Sequence, residues 1–252
     1  MGDIRIGIGG WVYEPWRGTF YPDELRRKDE LAYVGAHLTA TEINATYYST
    51  QKPQTFASWA KAVPDGFRFA VKASRFCTNR RVLAEAGPSI DKFVGQGIAE
   101  LGDRLGPILW QFMPTKKFDA ADFGAFLSLL PDAVDGVPLS HALEVRHESF
   151  DDPAFYALTH KAGVAVVVAD HAEYPRLKGA EEDGKAPFTY ARLMQSRDDE
   201  PAGYDAADLA TWGDWASHRA GAGDCYLFFI SGAKVRNPAA AQALIARLRA
   251  PA

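Results

Sequence analysis

Val164-Ala165-Val166-Val167-Val168-Ala169-Asp170 is six apolar residues closed by a carboxylate, and Gly163 stands just before it. A run this apolar, rich in β-branched residues and bounded by a turn residue, reads as a strand buried on both faces. Similar runs recur on either side. Ile4–Gly10, Ala40–Tyr47, Phe67–Ala73, Pro107–Met113 and His141–Arg146 precede it, and Phe188–Met194 and Cys225–Ser231 follow. Helical patterns lie between them. Asp152-Pro153 and Asn237-Pro238 each join a capping side chain to a proline suited to the first helical position. Asp119 and Asp205 open two more helices, and Gly163 suits a left-handed helix end.

Strand alternating with helix eight times predicts an α/β fold, a single TIM-type (β/α)8 barrel occupying residues 1–252. Residues 171–186 are rich in Gly, Pro and charge without an apolar stripe, which predicts a long non-helical connection between strands six and seven. An open doubly wound sheet is the alternative. Gly7, Gly9 and Gly10 fall near its expected first turn, but no G-x-G-x-x-G is there.

The chain has 252 residues, 47% of them apolar and 24% charged, with a formal net charge of −4. An acidic surface is no general nucleic-acid magnet, so any anion site must be local. Two cysteines, Cys77 and Cys225, show no metal-ligand spacing, which excludes a disulfide scaffold and fits a reducing cytoplasm. The first residues lack a signal-peptide layout, and the longest apolar run is far short of the ~20 residues of a membrane helix. A cytoplasmic protein without a membrane partner is expected; oligomeric state is not legible.

Polar residues interrupt the apolar runs near their C-terminal ends, where barrels of this kind build sites. The second run carries Glu42, Asn44 and Thr46 at one parity, the third Lys72, the fourth Gln111, and the fifth Glu144 and Arg146. The sixth ends in Asp170 and the seventh carries Arg192. Three acids and three bases in apolar strands predict an ion-paired cluster, since a lone buried charge is costly. Such a cluster reads either as an acid–base site with cations for an anionic ligand or as a structural salt-bridge network. Lys72 also suits a Schiff base, although pairing with Glu42 explains it equally well.

Two loop features accompany the cluster. Between Gly66 and Ala84 stand Arg68, Lys72, Arg75, Arg80 and Arg81 with no acid, and Lys116-Lys117, Lys234 and Arg236 follow later strands. Basic loops at one rim suggest an anionic ligand, or simply a solvated face. Trp11, Tyr13, Trp16, Phe20 and Tyr21 crowd the first loop, where they could stack on a ligand or merely pack the loop onto the barrel. His147 and His171 follow Glu144 and Asp170, yet no ligand spacing supports a metal. Cys77 lacks an assignable base. Neither metal nor cofactor is expected.

The ordered motifs Gly9-Gly10-Trp11-Val12-Tyr13-Glu14-Pro15-Trp16-Arg17-Gly18-Thr19-Phe20-Tyr21-Pro22, Glu42-Ile43-Asn44-Ala45-Thr46-Tyr47-Tyr48, Phe67-Arg68-Phe69-Ala70-Val71-Lys72, Leu105-Gly106-Pro107-Ile108-Leu109-Trp110-Gln111, Glu144-Val145-Arg146-His147, Asp170 and Tyr190-Ala191-Arg192 span nearly the whole chain. In them the chain resembles the YecE-like family, also called the domain-of-unknown-function-72 (DUF72) proteins. The resemblance implies a TIM-like barrel and no particular reaction. It also marks departures: Met194-Gln195 where His-Gly is common, Ile230-Ser231 where an Asn pair is common, and Phe150 where Trp is usual.

The expected function is general acid–base chemistry, of hydrolase or lyase type, on a small polar or anionic substrate. Glu42 and Glu144 would be acid and base, and Asp170 would tune one of them. Asn44, Lys72, Gln111, Arg146, Arg192, Trp11, Tyr13, Trp16 and Arg75 would hold the substrate. The alternatives are a nucleic-acid-binding or nuclease-like barrel and a non-catalytic binding barrel.

Overall fold

The strand predicted at Val164–Asp170 is the one that closes the sheet. A computed structural model of the chain describes residues 1–175, 177, 179 and 186–250. Its strands are β1 Ile4–Gly9, β2 Ala40–Ile43, β3 Arg68–Lys72, β4 Leu105–Gln111, β5 Ala133–Val134, β6 Val137–Pro138, β7 His141–Glu144, β8 Ala165–Val166, β9 Val168–Asp170, β10 Phe188–Leu193 and β11 Asp224–Phe229. The main sheet runs β8-β7-β4-β3-β2-β1-β11-β10-β9, and its pairings are parallel. β8 and β9 are halves of one strand parted at Val167, whose N–H donates to the Leu143 carbonyl at 2.9 Å. One half pairs with β7 and the other with β10, so both ends of the sheet are the same strand. The barrel is nearly closed, with helices around it.

Inside the barrel, alanines from one side meet aromatic rings from the other. Ala40, Ala70, Ala142 and Ala165 share one buried cluster with Phe188, Tyr190, Tyr226 and Phe228 of β10 and β11. Small residues opposite large ones fill the lumen. The opposite parity, including Ile6, Ile8, Ile43, Phe69, Val71 and Leu227, packs outward in the larger helix-covered core. Gly7 lets β1 and β2 come together, because a Cβ there would lie 2.0 Å from the Ala40 carbonyl oxygen.

Helix starts follow the sequence at three of four places. Asp119, Asp152 and Asp205 accept hydrogen bonds from the N–H groups of Asp122, Ala154 and Asp208, and Gly163 has φ of 64°. Asn237 corrects the fourth. It is the first residue of the helix Asn237–Arg249, behind Arg236, and its buried Oδ1 accepts from Ser196 Oγ at 2.7 Å. A second correction is that β2 stops at Ile43, because Ala45–Tyr48 turns helical. Asn44 and Thr46 therefore do not continue the inward row of Glu42. The β5–β6 hairpin was not anticipated, although Asp135-Gly136, both at positive φ, is a two-residue hairpin signal. Of the expected connection over 171–186, residues 176, 178 and 180–185 lie outside the described residues.

Candidate active site

Glu42, Glu144 and Arg192 come from β2, β7 and β10 and meet at the C-terminal end of the lumen. Arg192 grips Glu42 with two prongs, Nε to Oε2 at 3.1 Å and Nη2 to Oε1 at 3.0 Å, and its Nη1 donates to Glu144 Oε2. Tyr190 OH adds a donor to Glu42 Oε2 at 2.8 Å. On Glu144, Oε1 accepts from Gln111 Nε2 at 3.0 Å and from Arg146 Nε at 2.5 Å. Both glutamates are 0% exposed and Arg192 is 2% exposed, so these bonds form away from bulk water.

Electrostatics keep Glu144 and Arg192 ionised. Burial alone would push the Glu144 carboxyl up, but Arg192 and Arg146 more than reverse it and hold the group down at about 2. Burial likewise disfavours the Arg192 cation, yet Glu144 and Glu42 raise its pKa above the ordinary guanidinium value. Burial, and then Glu42, push the Tyr190 phenol well above its usual range.

Lys72 ends β3 beside the knot and is treated differently. It is 9% exposed, and among the described residues no carboxylate lies within 4.0 Å of its Nζ. The ammonium instead lies 4.3 Å from the centre of the Tyr47 ring. Burial, reinforced by Arg192, lowers its pKa to about 8, and Glu42 and Glu144 only partly oppose the shift. Gln111 and Arg146 are half-buried, and the Arg146 guanidinium lies 4.4 Å from the Tyr174 ring, which stacks on His171.

Five of the six expected ionisable groups thus converge. Asp170 does not join them; it accepts from Tyr204 OH at 3.0 Å and from Gln195 Nε2. Two carboxylates then face three cations, a surplus of one positive charge while Lys72 is protonated. Tyr190, Tyr47, Tyr174, Tyr204 and Gln195 were not among the site residues expected from the sequence, although Tyr47, Tyr190 and Gln195 fall in or beside the family motifs. Tyr190 shares its strand parity with Arg192, which could have flagged it.

The remaining sequence candidates are spread around the rim. Asn44 is half-buried, with Nδ2 3.4 Å from the Glu42 carbonyl oxygen. Arg75 is exposed over Phe76. Trp11 packs edge-on against Trp59 and Phe69. Trp16 is fully buried, with Nε1 donating to the Lys234 carbonyl, so it packs its loop instead of offering a face to a ligand. Tyr13 leans on Trp16 beneath Lys234 Nζ. Burial pushes the Cys77 thiol up to about 12. Met194 is buried, and Phe150 sits within a cluster of Phe118, Phe123 and Phe155. Among the described residues no group of three or more His, Cys, Asp or Glu could hold a metal ion, and no helix is long and apolar enough to cross a membrane.

Residues 5–252 match the family model described as "Protein of unknown function DUF72". The curated relatives include the UPF0759 protein YunF of Bacillus subtilis (strain 168), 26% identical over 162 residues, covering 62% of this chain and 55% of YunF. They also include the UPF0759 protein YecE of Escherichia coli (strain K12), 26% identical over 183 residues, covering 68% of this chain and 62% of YecE. The chain thus aligns with less than two thirds of either relative. Among solved structures, a DUF72 family protein from Thermotoga maritima MSB8 superposes with a TM-score of 0.74 at 22% identity, covering 97% of this chain and 98% of that one. SacUVDE superposes with a TM-score of 0.60 at 10% identity, covering 99% and 100%. At these identities the likeness is one of fold.

Proposed function

The chain belongs to the DUF72 family, and on that premise we propose that its barrel mouth binds a small anionic substrate and that Lys72 serves as acid and base upon it. The observation that carries this reading is a lysine at the rim with no carboxylate within 4.0 Å among the described residues, beside a knot in which Arg192 already holds both glutamates. Glu42 and Glu144 are then anchors, because each carboxylate is sealed from water with both oxygens held by donors. Their fixed negative charge holds Arg192 and Arg146 in place. Gln111, Arg146 and Lys72 present donors to the ligand, and the positive surplus favours an anion. A neutral amine is available once pH exceeds about 8, which suits proton abstraction next to an anionic group in a hydrolytic or lyase-type step.

The test is turnover of a panel of phosphorylated and carboxylated small molecules by the wild type and by Lys72→Met. Product formation should rise with pH through about 8, and Lys72→Met should lose on the order of 10²–10⁴-fold in kcat/KM. Undiminished turnover by the variant would refute the role. Binding without turnover by the wild type would favour a non-catalytic barrel.

A further inference from the structure

Next to the mouth, between the segments that follow β3 and β4, lies a groove of about 510 Å³. Its ionisable lining residues are Arg80, Arg81, Lys116 and Lys117, and none is acidic. Lys116 is neutralised by Asp122 at 2.8 Å. The others are not: among the described residues Arg80, Arg81 and Lys117 have no ion pair. Arg80 is pinned by neutral acceptors, the Phe76 carbonyl and Ser89 Oγ, each at 3.2 Å, together with the Glu85 carbonyl. Arg81 and Lys117 are exposed. Three cations with no ion pair among the described residues thus line one hollow in a chain of net charge −4, and an anion bound there would offset their mutual repulsion.

A hydrogen bond ties the groove lining to the mouth. Asn79, on the groove wall, donates from Nδ2 to Tyr47 OH at 3.1 Å, and the ring of Tyr47 is the face beneath Lys72 Nζ. Met113, which also lines the groove, comes two residues after Gln111. We infer that this groove is a phosphate subsite for the same small ligand whose other end reaches Lys72, so that the substrate is an elongated molecule carrying a phosphate at its groove end. This rests on the proposed function of the mouth. Several point charges and a guanidinium fork around one space suit the three terminal oxygens of a phosphate better than a single carboxylate. The volume is that of a small-molecule site, and the chain as a whole is acidic, with a net charge of −4.

Calorimetric titration with inorganic phosphate and with fructose 1,6-bisphosphate, which is anionic at both ends, tests the inference. The variants are Lys72→Met and the exposed pair Arg81→Ala with Lys117→Ala. The bisphosphate should bind the wild type roughly tenfold or more tightly than phosphate does, through the second attachment. Its affinity should fall roughly tenfold or more in each variant, as expected when charge-assisted bonds are removed. Loss in Lys72→Met alone would overturn the groove subsite and leave the mouth reading standing. Loss in the groove variant alone would overturn the link between the two and count against the mouth. No binding of either probe to the wild type at millimolar concentration would overturn the subsite. Tighter, steeply salt-dependent binding of a single-stranded deoxyoligonucleotide, lost in the groove variant, would overturn it in favour of nucleic acid.

Discussion

Glu144 and Lys72 stand at the same rim of the same barrel, and both are almost sealed from water, yet their surroundings treat them oppositely. Around Glu144 are Arg192, Arg146 and Gln111, and the carboxylate is held charged, its pKa down at about 2. Around Lys72 are an aromatic ring and a neighbouring guanidinium, and the ammonium is disfavoured, its pKa lowered to about 8. Burial opposes the charged form in both cases, so the difference is set by partners. The contrast divides the mouth into a part that holds itself together and a part left unsatisfied for something else. A paired buried charge specifies geometry; an unpaired one costs stability and is the better candidate for chemistry.

Removing the centre of the knot breaks the comparison most severely. Arg192→Met strands Glu42 with Tyr190 alone and takes one of two cations from Glu144. Denaturant unfolding should report a loss of about 3–5 kcal/mol. A loss below about 1 kcal/mol would mean that the knot is not the anchor described here, since that is the scale of an exposed pair.

Acid sharpens the same side. The folded-state pKa of Glu144 is depressed from 4.5, so its stabilisation is present above that value and disappears as pH falls through about 2. The difference corresponds to about 3 kcal/mol. Stability measured from pH 5 downward should fall steeply in the wild type and less steeply in Glu144→Gln, which starts from a less stable protein. Parallel pH profiles would contradict the assignment.

Lys72 should behave in the opposite sense. A lysine whose folded pKa lies below its unfolded 10.5 penalises the folded state at neutral pH, and the penalty fades as pH rises from about 8 to 10.5. Lys72→Met should therefore be more stable at pH 7, by roughly 1–3 kcal/mol, while losing ligand binding. Its stability should also vary less over that alkaline window. Destabilisation at pH 7 would place Lys72 in the structural half of the mouth. The smallest effect belongs to Tyr47→Leu, which removes the ring under the ammonium and should cost about 0.5–1 kcal/mol.

The strands of the barrel and five of the polar residues at its mouth were legible in the sequence because a two-residue period fixes which side chains face the lumen. Glu42, Lys72, Gln111, Glu144 and Arg192 all follow from that parity. Which of them pair does not follow, because pairing depends on the stagger between strands that a sequence leaves open. A Lys72–Glu42 pair was one of two readings of that lysine; instead Arg192 reaches across from β10 to hold both glutamates. Asp170 had the right strand end but meets Tyr204 and Gln195. Thr46 was misread because its apolar neighbours hid the helical turn at Ala45–Tyr48. Trp16 shows the same limit, since an aromatic that packs a loop and one that awaits a ligand look alike as letters.

The division of the mouth rests on the state of one amine, which can be observed directly. In protein labelled with ¹⁵N at lysine side chains, the Lys72 Nζ resonance, assigned by its absence from Lys72→Met, can be followed across pH. The account expects a midpoint near 8. A midpoint at or above the ordinary 10.5 would show a lysine paired and content like its neighbours, and the proposed site would lose its reactive group.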